Sequence, residues 1–157
     1  MQNFTEIALE KIKETGLKIT KPRQMIIKLL AQSSKALSPY DMRALLKKKK
    51  IEADVVTIYR ILETLEKISL AHKVLAFNGY IRCSTSSLTK KNTEKCHHYL
   101  LCQKCHAVEE VKGENLSKIE TKIAKEHKFK ISSHYLEFMG LCKTCQQKLR
   151  QQKSKGR

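Results

Sequence analysis

Cys102-Gln-Lys-Cys105 and Cys142-Lys-Thr-Cys145 are two C-x-x-C pairs separated by 36 residues. Each pair offers two thiolates at the tight spacing that tetrahedral zinc takes, and two pairs make a closed four-cysteine site. Four protein ligands leave no position for water or substrate, so the chemistry of such a site is structural. A redox C-x-x-C stands singly at a helix start in a βαβ unit, a context absent here. Zinc on the four sulfurs would tie the last strand to the first half of its unit and couple metal binding to folding.

The segment leading into the first pair, Cys96-His97-His98-Tyr99-Leu100-Leu101-Cys102-Gln103-Lys104-Cys105, packs five metal-ligand side chains into ten residues. His97 and His98 are adjacent on an expected strand and face opposite ways, so both do not easily serve one site; Cys96 shares a face with His98. His72 and Cys83 flank an Asn78-Gly79 turn. Pairing 78 with 79 places 74 near 83 and 72 near 85, which makes His72 and Cys83 neighbours but not direct partners. Joined by His97 and an acid such as Glu110, they form an S/N/N/O set that suits tetrahedral zinc. His106 and His127 read as surface residues, His127 as a cation at a helix end. A metal held between two domains would favour one relative orientation of them and act as a switch.

The elements that must position these ligands are legible in the hydrophobic periodicity. Phe4, Ile7, Ala8, Lys11 and Ile12 mark a first helix ending near Gly16. Thr20 caps a second helix, with Pro22 in its first turn and Met25, Ile26, Leu29 and Leu30 buried. Ser38-Pro39-Tyr40-Asp41 starts a third, with Met42, Leu45 and Leu46 facing the core. Lys47 to Lys50 form its solvated end, within reach of phosphate. Asp54 caps a fourth helix, whose Ile58, Ile61, Leu62 and Leu65 make an apolar stripe. Two strand-like runs joined at Asn78-Gly79 complete a hairpin. Helices ending in a hairpin form the winged helix-turn-helix pattern, with residues 54–67 as recognition helix and 70–83 as wing.

Residues 84–95 are polar and serve as a linker between a domain at 1–83 and a second at 96–157. In the second, Tyr99–Leu101 and Ala107–Val111 read as strands, Leu116, Ile119 and Ile123 as a helix, and Phe129–Leu141 as a long strand reaching Cys142. A Lys/Gln-rich basic helical tail follows. The expected fold class is α+β, with a winged-helix domain and a small α/β domain that buries too little alone and is expected to dimerise.

Bulk composition agrees. The 157 residues carry 32 Lys and Arg against 15 Asp and Glu, a net charge of +17 that favours a polyanionic partner such as DNA. The excess is not confined to a tail: residues 1–83 hold 16 basic and 8 acidic side chains, residues 84–157 hold 16 and 7. No apolar run approaches the ~20 residues of a membrane span, and the start of the chain has no signal-peptide core, so a cytoplasmic location is expected. Reduced cytosolic thiols again favour metal over disulfides. An enzyme reading finds no support: a zinc deaminase needs H-x-E with P-C-x-x-C, and neither occurs. A zinc-ribbon RNA-binding module would need stacking aromatics, which are only 6% of the chain.

Several motifs in order resemble the ferric uptake regulator superfamily over residues 5–146. GLKITKPRQMIIKLL is similar to that family's second-helix entry, VVTIYRILETLEKISL to its recognition helix, and CHHYLLCQKC to its His-rich segment before the first cysteine pair. AHKVLAFNGYIRC sets His72 and Cys83 eleven apart, as the zinc-uptake-regulator branch does for two sensor ligands. His97, five before Cys102, and Glu110, five after Cys105, match the family's sensor His and acid. A second family His three before the first cysteine pair is Tyr99 here, a place for which Cys96 could substitute. The resemblance also implies a third site from Cys96, His98 and His134; its usual carboxylate position holds Ser117, so the site is weak, lost, or completed by Glu114 or Glu120.

What the resemblance implies is a homodimer that, loaded with zinc at the hinge, fits a palindromic operator and represses zinc-uptake genes. Tyr59 and Arg60 would then reach bases and phosphates, Thr57 a phosphate or thymine methyl, Lys18 the minor groove, and Arg23 a phosphate. An iron- or peroxide-responsive regulator is the alternative within the same family. The thiol of Cys83 favours zinc, because soft ligands suit it.

Overall fold

Asn3, Thr20, Ser38 and Asp54 begin the first four helices by one device. Each side-chain oxygen accepts the backbone N–H three residues on, from Glu6, Arg23, Asp41 and Thr57 respectively. That N–H would otherwise have no partner in the helix. Asn3 and Ser38 complete reciprocal capping boxes with Glu6 and Asp41. The computed structural model describes residues 3–83, 98–111, 116–132 and 135–154. It divides into two compact units, Met1–Asn92 and Thr93–Arg157.

The first unit holds α1 (Phe4–Glu14), α2 (Lys21–Gln32), α3 (Pro39–Lys48) and α4 (Val55–Lys67), then strands β1 (Ala71–Val74) and β2 (Gly79–Arg82). The stripe Ile58, Ile61, Leu62 and Leu65 is buried along α4, together with Ile26, Ile27 and Leu30 of α2 and Met42 and Leu46 of α3. On α2 the face is rotated slightly from the sequence reading: Ile27 is fully buried, whereas Met25 and Leu29 are only partly so. Arg82 of β2 lies over the ring of Phe4, 5.7 Å from its centroid, and so ties the hairpin to α1.

The hairpin register differs from the sequence expectation. His72 pairs with Ile81 and Val74 with Gly79, so Leu75–Asn78 form a four-residue turn in place of a two-residue Asn-Gly one. Asn78 takes the left-handed conformation at φ 43°. Gly79 is needed for a different reason. A Cβ there would stand 3.1 Å from the Cβ of Ala36 and 3.2 Å from the carbonyl carbon of Leu37. Leu37 and Tyr80 exchange two backbone hydrogen bonds of 2.9 Å, so β2 is flanked on its second side by the segment before α3. That contact fixes where the strand begins.

The second unit holds β3 (His98–Cys102), β4 (Val108–Val111), α5 (Leu116–Glu126), β5 (Leu136–Gly140) and α6 (Lys143–Ser154). Its described sheet has the order β4-β3-β5, with β3 antiparallel to β4 and parallel to β5. A parallel pair needs a crossover, and α5 lies within it. The last strand is shorter than the sequence suggests. Lys128 has φ 48° and the Phe129 N–H bonds back to the Ala124 carbonyl, which closes α5. Residues 129–132 then run outside any strand, and the ladder begins only at Leu136. The linker expected at 84–95 lies outside the described residues.

Candidate metal centre and nucleic-acid interface

Parallel pairing of β3 with β5 brings the two cysteine pairs together. Cys102 is the ladder partner of Gly140, so the chain leaves both strands at the same end of the sheet. After β3 it turns through Gln103–Cys105, where the Gln103 N–H donates to the Gly140 carbonyl at 2.8 Å and the Cys102 N–H to the Ala107 carbonyl at 3.0 Å. His106 closes the turn with φ 60°. After β5, Cys142 stands just ahead of α6 and Cys145 within its first turn.

The four sulfurs lie within 4.8 Å of one another, and Cys105 Sγ is 3.7 Å from Cys142 Sγ. A tetrahedron with Zn–S bonds of about 2.3 Å has edges of about 3.8 Å. The donor set therefore suits tetrahedral zinc, with the Cys105–Cys142 edge already at that length. The Cys142 N–H donates to Cys102 Sγ at 3.3 Å. That bond, with weaker help from the Cys105 and Lys104 N–H groups, pulls the Cys102 thiol down to about 5. Burial and the three neighbouring cysteines push Cys145 up to about 12. One thiolate is thus prepared by backbone dipoles, while the proton on Cys145 leaves only when a cation takes its place. Sequence spacing picked out the four cysteines that cluster here; the N–H donors to Cys102 arise from the backbone path and leave no side-chain signal.

The other expected ligands fall into three groups. His72 and Cys83 lie in the first unit. The Cys83 N–H extends the ladder by donating to the Leu70 carbonyl at 3.0 Å, and the Cys83 side chain is buried. Because 72 pairs with 81, and 70 with 83, His72 and Cys83 project from the same face of the hairpin as diagonal neighbours. Glu110 lies in the second unit on β4, opposite Tyr99. His98 is buried on β3 opposite Val111, on the other face of the sheet from Glu110. Cys96, His97, Glu114 and His134 lie outside the described residues. Among the described residues the four cysteines are the one cluster with metal-site geometry.

The α4 residues expected at DNA stand as follows. Thr57 and Arg60 are exposed, Tyr59 is half-buried, and the core stripe points the opposite way. Lys18 is exposed in the loop between α1 and α2. Arg23 is half-buried and donates from Nη1 to the Lys18 carbonyl, which braces that loop. Asp54, capping α4, has its carboxyl held below the usual value, first by the Thr57 N–H and hydroxyl and more weakly by the charges of Arg60 and Arg43. Arg43, on α3, was not among the residues singled out from sequence. Its signal was its place with Lys47, four residues on, away from the buried Met42 and Leu46.

A sequence model of the ferric uptake regulator family matches residues 14–139. The ferric uptake regulation protein of Bacillus subtilis (strain 168) is 31% identical over 146 residues, covering 92% of this chain and 96% of that protein. Among solved structures, a zinc uptake regulator complexed with zinc and DNA has a TM-score of 0.82 at 24% identity, covering 96% of this chain and 99% of that one. A holo XcZur crystal structure has a TM-score of 0.75 at 23% identity, covering 92% and 97%. At that identity the two structures show a shared fold.

Proposed function

The chain belongs to the ferric uptake regulator family, whose members are metal-responsive transcription regulators and not enzymes, and from that premise we propose that this one is a zinc-responsive repressor. It binds a palindromic operator as a zinc-loaded homodimer in the cytoplasm and represses zinc-uptake genes. The four-cysteine zinc is structural. A second, regulatory zinc takes His72, Cys83, His97 and Glu110 as ligands, drawn from both halves of the chain.

The observation that carries the zinc reading is the pairing of a buried thiol, Cys83, with His72 on one hairpin face. A thiolate beside an imidazole is a donor pair for zinc; hard sites for iron(II) or manganese use imidazole and carboxylate. The fold likeness to a zinc uptake regulator complexed with zinc and DNA supports the same reading.

Operator contact is assigned to the exposed face of α4. Arg60 and Tyr59 reach base edges and phosphates in the major groove, Thr57 a phosphate or thymine methyl, and Lys18 and Arg23 the flanking backbone. Dimerisation has its own support. Leu100 and Phe138 are ladder neighbours that remain 44% and 50% exposed, and β5 is an edge of the described sheet. An apolar edge strand aggregates unless covered, and a second copy of the same unit covers it. Zinc and DNA then strengthen each other's binding by the same factor.

The test is operator binding by the purified protein under buffered free zinc and, separately, under anaerobic ferrous iron and manganese. Activation at far lower free zinc than iron is the expected result. Equal activation by iron or manganese would transfer the protein to the alternative, an iron- or peroxide-responsive regulator. That alternative is favoured by the 31% identity to the ferric uptake regulation protein of Bacillus subtilis.

A further inference from the structure

Between Arg43 and Arg60 the chain carries six basic and two acidic residues. Four of the six, Lys47–Lys50, are consecutive, and all four are exposed at the end of α3. A lysine run at a helix C-terminus is ordinarily explained by the helix dipole, and Lys47 and Lys48 do lie in the last turn. That explanation does not extend further. Lys49 follows the helix and Lys50 sits beyond it with φ 57°, a left-handed conformation that costs a lysine free energy. The turn they form is closed by backbone bonds from Lys49 to Leu46, Lys50 to Lys47 and Ile51 to Leu46. Four lysines are therefore carried on one backbone-bonded turn and not on a free tail.

The turn is also placed with respect to α4. α3 packs on α4, and Arg43, one turn before Lys47, lies near enough to the Asp54 cap for its charge to act on that carboxyl alongside Arg60. The exposed Arg43 thus links the lysine turn to the start of the helix assigned to the major groove. The two acids in the segment, Glu52 and Asp54, offset two of its six positive charges.

We propose that Arg43 and Lys47–Lys50 form a second DNA-backbone surface, separate from the base-reading face of α4, that grips phosphates of the same duplex. It rests on the DNA-binding reading above. Its work is sequence-independent: it adds affinity for any duplex and leaves the choice of operator to α4.

The experiment measures DNA affinity of the zinc-loaded full-length chain across a salt series, on an operator duplex and on an unrelated duplex. Three proteins are compared: wild type, the fourfold variant Lys47→Gln, Lys48→Gln, Lys49→Gln, Lys50→Gln, and a charge-matched control. The control is Lys118→Gln, Lys122→Gln, Lys125→Gln, Lys128→Gln, all exposed in the second unit. Each lost phosphate contact removes about 0.9 from the slope of log affinity against log salt. The fourfold variant is expected to lose about 2 or more from that slope, with equal proportional loss on both duplexes, while the control keeps the wild-type slope. Equal slopes for all three proteins overturn the proposal, and so does an equal loss in variant and control, which would mean a long-range charge effect. Loss on the operator alone also overturns it, since that is base reading. If the wild type binds neither duplex at any zinc level, the DNA-binding reading itself fails and this surface falls with it. Arg43→Gln serves as a single-site check that leaves the turn intact, with an expected slope loss of about 0.9.

Discussion

The Sγ atoms of Cys105 and Cys142 stand 3.7 Å apart although 37 positions separate them in the chain. The parallel register of β3 and β5 produces this closeness by ending both strands at the same end of the sheet, Cys102 against Gly140. Within the second unit few described side chains are buried, and two of them, Cys102 and Cys145, belong to the four-cysteine cluster. Zinc bound by these four cysteines would carry a share of stability that a larger apolar core would otherwise supply. Structural zinc contributes on the order of 10 kcal/mol at neutral pH. Cys142→Ser, or a strong chelator added to the wild type, is expected to unfold the second unit and leave the first folded. Far-UV circular dichroism with zinc quantification would check this; a chelated protein that keeps its full thermal transition would refute it.

Cys83→Ser should behave differently. Cys83 lies on the wing and takes no part in the four-cysteine cluster. The variant is expected to retain one tightly held zinc per chain and its fold, and to lose zinc-dependent activation of operator binding. If the variant still activates at the wild-type free zinc level, Cys83 is not a sensor ligand.

Phe138→Glu addresses assembly. The side chain is half exposed on the β5 edge and contributes little to its own unit. A charge there is costly only where a second chain would bury it. Light scattering is expected to report a monomer for the variant and a dimer for the wild type, with zinc content unchanged.

Gly79→Ala tests why the glycine is there. The added methyl meets Ala36 and the Leu37 backbone at 3.1–3.3 Å. Backbone cannot step aside as a long side chain can, so a loss of about 1–3 kcal/mol is expected. Asn78→Ala, by contrast, would test only the left-handed turn position. Denaturant melts of the two variants separate a packing role from a turn role.

Asp54 sets the acid limit of α4. Its carboxyl is held below the ordinary 3.8 by the Thr57 N–H, so it releases its proton more readily in the folded state. The stabilisation is complete above 3.8 and disappears as pH falls through the lower folded value. Asp54→Asn keeps an acceptor at the cap but cannot titrate. The difference in melting temperature between wild type and Asp54→Asn is expected to be constant from pH 7 to 5 and to shrink below about 3.8. A difference that does not change with pH would leave the cap without a charged component.

Much of this protein was legible in its sequence because the signals are local. A cap and the backbone N–H three residues on, or an apolar side chain and its partner four residues on, are set by the helix repeat alone. Thus Ser38 with Asp41 and the stripe from Ile58 to Leu65 stand where periodicity puts them. The two C-x-x-C pairs were equally legible, since a metal's preference acts on residue type and spacing. Tertiary contact decided the rest. Gly79 begins a strand because Ala36 and Leu37 approach it, and no neighbour in sequence announces that. The run from Phe129 has strand composition, yet its described strand pairs with β3 from Leu136 to Gly140, and residues 129–132 lie outside any strand. The low value at Cys102 depends on a backbone N–H forty residues away. Residue type named the ligands; only the parallel register of two strands brought their sulfurs to bonding distance of one ion.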